Sequence, residues 1–135
     1  MSAANLIERA FSAFNAGDHT GIIACLAEDA ALDTPGIGRE IGREKIRWRL
    51  AALARHFRIQ ASDIAIMTGP GGLRAAAEFT IAGTYHQTLD TFPAARGQTL
   101  RFPAGIFLDI DDDGLISRAT LCFDPASLRA ALQKG

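Results

Sequence analysis

An α+β fold, in which a curved antiparallel sheet wraps around three N-terminal helices as a cone or roll, is what this 135-residue sequence predicts. Three features point to it. Apolar residues recur at helical spacing through most of residues 3–57. From residue 59 onward they alternate in twos instead. The strand-like runs are long, and their second face mixes small with charged side chains, too mixed for a plain solvent surface. The length suits a single domain, residues 1–135, with one core.

The first helix spans residues 3–15, with Leu6, Ile7, Ala10, Phe11 and Phe14 on one stripe. Gly17 ends it, because glycine tolerates the left-handed backbone of a helix C-terminus. Asp18 caps a short second helix that turns Ile22, Ile23 and Leu26 inward. Residues 30–34 form a short strand closed by Pro35 and Gly36, and residues 36–42 read as a glycine-punctuated loop. A third helix runs from Arg43 to about Phe57, with Ile46, Leu50, Leu53 and Phe57 along one side.

Residues 59–68 are a strand, and residues 69–72 a turn. In residues 73–88, Leu73, Ala75, Ala77, Phe79, Ile81, Gly83 and Tyr85 share one face, opposite Arg74, Glu78, Thr80, Thr84 and His86. Residues 99–110 alternate likewise. Residues 111–114 make a hairpin turn before a strand over 115–123. Asp124 and Pro125 open a closing helix. Gly83 and the Pro103–Gly105 stretch mark expected bends of the sheet. A sheet curled over helices leaves a conical cavity at its open end, where a ligand would sit.

Composition narrows the function. A net charge of −1 gives no electrostatic case for nucleic acid or an anionic membrane surface. No apolar run approaches the roughly 20 residues of a membrane span, and the first residues lack the pattern of a secretory signal, which makes the cytoplasm the expected location. Cys25 and Cys122 are expected as reduced, buried thiols. His19, His56 and His86 lie far apart and show no metal-ligand spacing, so neither metal nor cofactor is expected. The segment 111–114 is too short for a calcium loop.

The stretches 14–36, 42–47 and 83–118 ("FNAGDHTGIIACLAEDAALDTPG", "GREKIR", "GTYHQT…ARGQTLRFPAGIFLDIDDDGLISR") resemble the ketosteroid isomerase-like and SnoaL-like polyketide cyclase group of the nuclear-transport-factor-2-like superfamily. The resemblance runs from about residue 3 to 124. It implies the cystatin-like cone just derived, and a homodimer packed through the sheet. It also implies three pocket positions that handle protons in the isomerases: a tyrosine, a carboxylate base and a buried acid. Here these fall on Ala10, Thr34 and Ile106. The fold is carried over, and that set of groups is not.

Two candidate catalytic residues remain, Asp33 and Tyr85. Strict alternation puts Asp33 opposite Leu32 and Thr34, as a cap on the turn at residues 35–38; a twist at the strand end would instead turn it into the cone as a base. Tyr85 lies on the apolar face, so its hydroxyl either meets a backbone partner or projects into the cavity as a donor. The lining would come from Phe11, Phe14, Thr34, Trp48, Phe57, Phe102, Ile106 and Phe123, with Phe79 and Phe107 adding aromatic surface. Such a lining suits a hydrophobic small molecule. The functions implied are isomerase-, cyclase- or hydrolase-type acid–base chemistry on a carbonyl compound or, alternatively, a non-catalytic ligand-binding or dimeric interaction module.

Overall fold

The computed structural model describes residues 2–134. Helix α1 (Ala3–Ala16) buries Leu6, Ile7 and Ala13. Gly17 stops it at φ 70°, where the Gly17 and Asp18 N–H groups donate back to the Phe14 and Ala13 carbonyls at 3.1 and 2.8 Å. This satisfies carbonyls that the helix itself leaves open. Asp18 caps α2 (His19–Ile23) by accepting from the Gly21 N–H at 2.9 Å. There follow β1 (Leu26–Thr34), β2 (Gly38–Ile41), α3 (Arg43–His56), β3 (Phe57–Thr68), β4 (Arg74–Tyr85), β5 (Gln98–Ile110), β6 (Ile116–Cys122) and α4 (Pro125–Gln133). No helix among the described residues is long and apolar enough to cross a membrane.

The strands form one curved, unclosed sheet in the order β2-β1-β6-β5-β4-β3. The expected meander is β3 to β6. It is extended by β1, which runs parallel to β6, and by β2 at the edge. The segment expected as a loop at residues 36–42 therefore holds a strand. Gly36 and Gly38, at φ 76° and 102°, make the turn of a hairpin whose second arm pairs Ile41 with Ala31 and Glu40 with Leu32. Leu26 opens β1 rather than closing α2, and Phe57 opens β3 rather than closing α3.

The bends also differ from expectation. The β4–β5 ladder is unbroken from Arg74 opposite Asp109 to Tyr85 opposite Gln98, straight through Gly83 and Pro103–Gly105. Register shifts occur instead between Ser62 and Ala65, where Asp63 takes φ 51°, between Leu26 and Ala31, and between Asp109 and Ile110. Such bulges sharpen the local twist of a sheet. Gly83 serves close approach: a Cβ there would run into the Arg58 carbonyl oxygen and lie 2.7 Å from the Ile59 Cα.

The inner face of the sheet is apolar and stepped in size. Ala61, Ala75, Ala77 and Ala104 are buried beside Phe79, Ile81, Phe102 and Leu108. Small residues let the helices sit close, and large ones fill the hollow. One core cluster joins Leu6, Ile7, Ile23, Leu26 and Ile46 to Leu108, Ile110 and Ile116. A second joins Phe57, Phe79, Tyr85, Phe102 and Leu132. Phe11, Ile66 and Ile106 pack against both. Along the open edge of β3, the Asn15 amide donates to the Ala61 carbonyl at 2.9 Å and accepts from the Ala61 N–H at 2.8 Å.

On the outer face a ladder of charges crosses the strands. Arg39 pairs with Asp33 at 2.7 Å, and Arg118 with Asp109 at 2.8 Å, with Arg74 also reaching Asp109 at 3.3 Å. The Arg118 hydrogen bonds hold the Asp109 carboxyl below the usual carboxylate range, against the opposing effect of partial burial. Phe107 and Met67 lie nearby, 53% and 52% exposed.

Two outcomes follow. Gly83→Ala should lower stability by about 2–3 kcal/mol in urea titrations, because neither backbone strand can give way without loss of the ladder. Asp109→Asn should lower the melting temperature by about 2–4 °C at pH 7. A depressed folded-state pKa stabilises above the unfolded carboxylate pKa of about 3.9 and is lost as pH falls through the lower folded value. The gap between mutant and parent in calorimetric scans should therefore close below about pH 3.9.

Candidate functional site

The sheet brings the three inherited pocket positions toward one interior. Ile106 points inward from β5 between Ala77 and Leu121. Thr34 ends β1 on the face of Leu32, and continuing the Asp33–Thr120 register by one residue sets it beside Leu121. Ala10 packs from α1 against the first core cluster. Ala10 and Ile106 carry no polar group, and Thr34 offers a hydroxyl in place of a carboxylate.

Asp33 lies on the outer face. Register is unbroken from Ala31 to Asp33 against β6 and from Ala31 to Thr34 against β2, so the strand end contains no twist that would reverse the side chain. The carboxylate accepts from Arg39 Nε and Nη2 at 2.7 and 3.0 Å, and from the Thr120 hydroxyl at 3.3 Å. The Arg39 bonds hold its pKa below the ordinary value, and Arg118 adds to the effect. The group is an ionised member of a ladder, with its acceptor capacity engaged.

Tyr85 is fully buried, with its ring stacked on Phe57 at a centroid distance of 5.0 Å. Its hydroxyl donates to the Pro93 carbonyl at 2.7 Å and accepts from the Leu89 N–H at 2.8 Å. Both bonds go to the loop between β4 and β5, so the hydroxyl pins that loop. Asp33 and Tyr85 thus end on opposite faces of the sheet and do not share a site.

Of the expected lining, Phe57 and Phe102 are buried, and Phe11, Phe14, Thr34, Ile106 and Phe123 are half-buried. Phe11 meets Phe79 edge-on at 5.0 Å, and Phe102 meets Phe123 at 5.4 Å. Three expectations are corrected. Trp48 is 66% exposed, on the side of α3 away from the Ile46–Leu50–Leu53 stripe. Phe107 faces outward, opposite Ala76 and Thr120, because Ile106 and Leu108 take the inner positions. Cys122 is likewise exposed, whereas Cys25 is buried, and burial pushes its thiol pKa up.

The structure pairs two residues, Glu40 and Arg49, whose charges read from the sequence as balancing one another on a solvated face. Glu40 is paired with Leu32, which packs against the first core cluster, so Glu40 shares the inner face of the hairpin. Arg49 reaches it from α3 with Nη2 at 2.8 Å from Oε1. Arg49 Nε is buried and has no hydrogen-bond partner, the only such side-chain atom identified among the described residues. An orphaned buried donor needs an explanation, and a bound oxygen acceptor is one. The signal was the alternation of residues 38–41, which pairs Glu40 with Leu32 once the segment is seen as a strand. Arg43, by contrast, is structural: Nε and Nη2 both donate to the Leu26 carbonyl, at 3.0 and 2.6 Å.

Open grooves occur on both sides of the sheet among the described residues. One, of about 330 Å³, lies on the outer face among Met67, Arg74, Phe107 and Arg118. Another, of about 460 Å³, lies between α1 and β3 among Glu8, Phe11, Asn15 and Ile64. Among the described residues no group of three or more His, Cys, Asp or Glu side chains is placed to hold a metal ion.

Comparison with known proteins agrees with this architecture. A candidate polyketide cyclase from Xanthomonas campestris pv. campestris is 36% identical, with a TM-score of 0.94 over 97% of this chain and 96% of its own. A second candidate cyclase, from Pseudomonas putida KT2440, is 34% identical, with a TM-score of 0.94 over 98% of both chains. An LEH-like epoxide hydrolase of M. tuberculosis shares the fold alone, at 20% identity and a TM-score of 0.70 over 96% of this chain and 88% of its own. No curated protein matches the chain. The model of the SnoaL-like domain matches residues 7–119, within a fold whose neighbours include proteins described as NTF2-like, and the chain belongs to the SnoaL-like family.

Proposed function

We propose that this protein binds a hydrophobic carbonyl compound inside the cone and moves a proton on it, with Glu40 and Arg49 as the working pair. The observation that carries this reading is the buried Arg49 Nε without a partner, beside an ionisable carboxylate on the inner face of the hairpin. Glu40 would accept a proton from the carbon next to the carbonyl. The Arg49 guanidinium would donate to the carbonyl oxygen as negative charge gathers there. Isomerisation and cyclisation both begin with that step, which fits the candidate cyclases among the relatives. The aromatic and aliphatic interior suits an apolar substrate body.

A second reading is a ligand carrier or interaction module without chemistry. The non-acidic residues at Ala10, Thr34 and Ile106 favour it, since none of them supplies the carboxylate or phenol of the isomerase set. Under either reading the outer face is the proposed contact with a second copy. Phe107 and Met67 stand exposed beside the small residues Ala65, Ala76 and Pro103, between flanking charges. The free state of both cysteines suits the cytoplasm.

Deuterium exchange next to the carbonyl, followed by NMR on a panel of enolisable ketones, tests the chemistry. Glu40→Gln and Arg49→Met should each slow exchange by about 10²–10³-fold. Unchanged exchange in both variants removes the pair from the mechanism; no exchange by the parent protein, with ketones still bound, favours the carrier. Phe107→Glu should turn a dimer into a monomer in sedimentation velocity, since a standard interface of about 800 Å² per partner does not tolerate a central unpaired charge. A monomeric parent protein would overturn the dimer.

A further inference from the structure

The second core cluster is closed from outside by two segments that one buried side chain ties together. Helix α4 sends Leu132 fully into the cluster and lays Leu128 and Ala131 against it. The loop at residues 86–97 packs Leu89, Phe92 and Ala95 on the same cluster. Gln98, a buried amide, joins them. Its Nε2 donates to the Ala94 carbonyl and to the Leu132 carbonyl, both at 2.9 Å, and its Oε1 accepts from the Arg96 N–H at 2.6 Å. On the surface, the Arg129 guanidinium lies 4.8 Å from the centre of the Phe92 ring.

We propose that α4 is a removable cover, latched by Gln98, over a binding site for a flat apolar ring among Phe57, Phe79, Phe102 and Phe123. This refines the apolar interior invoked above and rests on that reading for its physiological ligand. The argument is one of balance. A helix of nine residues does not stand alone in water. Its docking rests on a few apolar side chains, the Gln98 amide, an Arg96 guanidinium that donates to the Lys134 carbonyl at 3.3 Å, and one cation–π contact, against the conformational entropy that nine residues regain on release. Segments held this way open locally without unfolding the rest of the molecule. The cluster that α4 helps to close is aromatic: it holds Phe57 stacked on Tyr85 with planes 27° apart, and Phe102 beside Phe123 with planes 40° apart. Such faces take a planar ring, which stacks in the place of Leu132.

Linkage makes the proposal quantitative. A ligand that binds only the open state has an apparent affinity set by the open fraction, and the amide exchange of α4 reports the same fraction. The test uses full-length protein, hydrogen–deuterium exchange read by mass spectrometry, and the fluorescent probe 8-anilinonaphthalene-1-sulfonate. In the parent protein, α4 amides should exchange well before those of β4 and β5, and saturating probe should speed α4 exchange further. Gln98→Ala should accelerate α4 exchange by roughly five- to tenfold and tighten probe binding by the same factor, with β4 and β5 unchanged. Arg129→Ala should do both to a smaller extent, and it carries the test if Gln98→Ala fails to fold. The proposal is overturned if α4 exchanges only together with the sheet, or if its exchange rises while probe affinity stays put. Neither readout involves Glu40 or Arg49. The cover can therefore fail while the proton chemistry stands, and the reverse.

Discussion

A residue in a strand has two sides to choose from, and the choice made by one fixes its neighbours. In this protein the inner side must receive three helices, so alternate residues of β4 and β5, and of the regularly paired stretches of β1 and β6, are claimed by packing. The remaining residues are forced outward whatever their chemistry. Asp33 stands outside because Leu32 and Thr34 stand inside, and Phe107 is exposed because Ile106 and Leu108 are needed within. The same rule sends Glu40, the neighbour of Leu32 across the hairpin, to the helix side, where Arg49 meets it.

Legibility in the sequence followed that rule. The helices with caps and apolar stripes were readable to within a residue or so at α1, α3 and α4, because each carried a physical stop: Gly17, the change of period at Phe57, and the Asp124–Pro125 opening. The β4–β5 ladder was readable because its alternation runs through long unbroken strands. Strand β2 was not. Four residues between glycines offer too little pattern to outweigh the turn signal around them. Missing that strand hid the Glu40–Arg49 pair, since an inward Glu40 makes sense only opposite Leu32. Sheet curvature was also misplaced, because bulges depend on pairing across strands, as at Asp63, and leave little local trace. For Trp48, position just off the stripe did not reveal that α3 meets the sheet along one narrow side.

The two buried polar side chains that do find partners, Tyr85 and Gln98, spend themselves on backbone. Between them they bind the amides or carbonyls of Leu89, Pro93, Ala94, Arg96 and Leu132. Loop backbone lying over an apolar cluster would otherwise be cut off from water with its hydrogen bonds unmade, at a cost of about 1–3 kcal/mol per group. Their placement explains how an irregular segment can close the aromatic end at all. It also separates them from Arg49, whose Nε is left without such a partner.

Asn15 has a wider effect than its two bonds suggest. By offering an amide group to Ala61 as a neighbouring strand would, α1 covers part of the long β3 margin, and the Asp63 bulge distorts the stretch beyond it. An uncovered margin of that length is a template on which further molecules add, strand by strand, into insoluble fibrils. A polar side chain on a helix thus acts as a terminator for sheet growth along that rim.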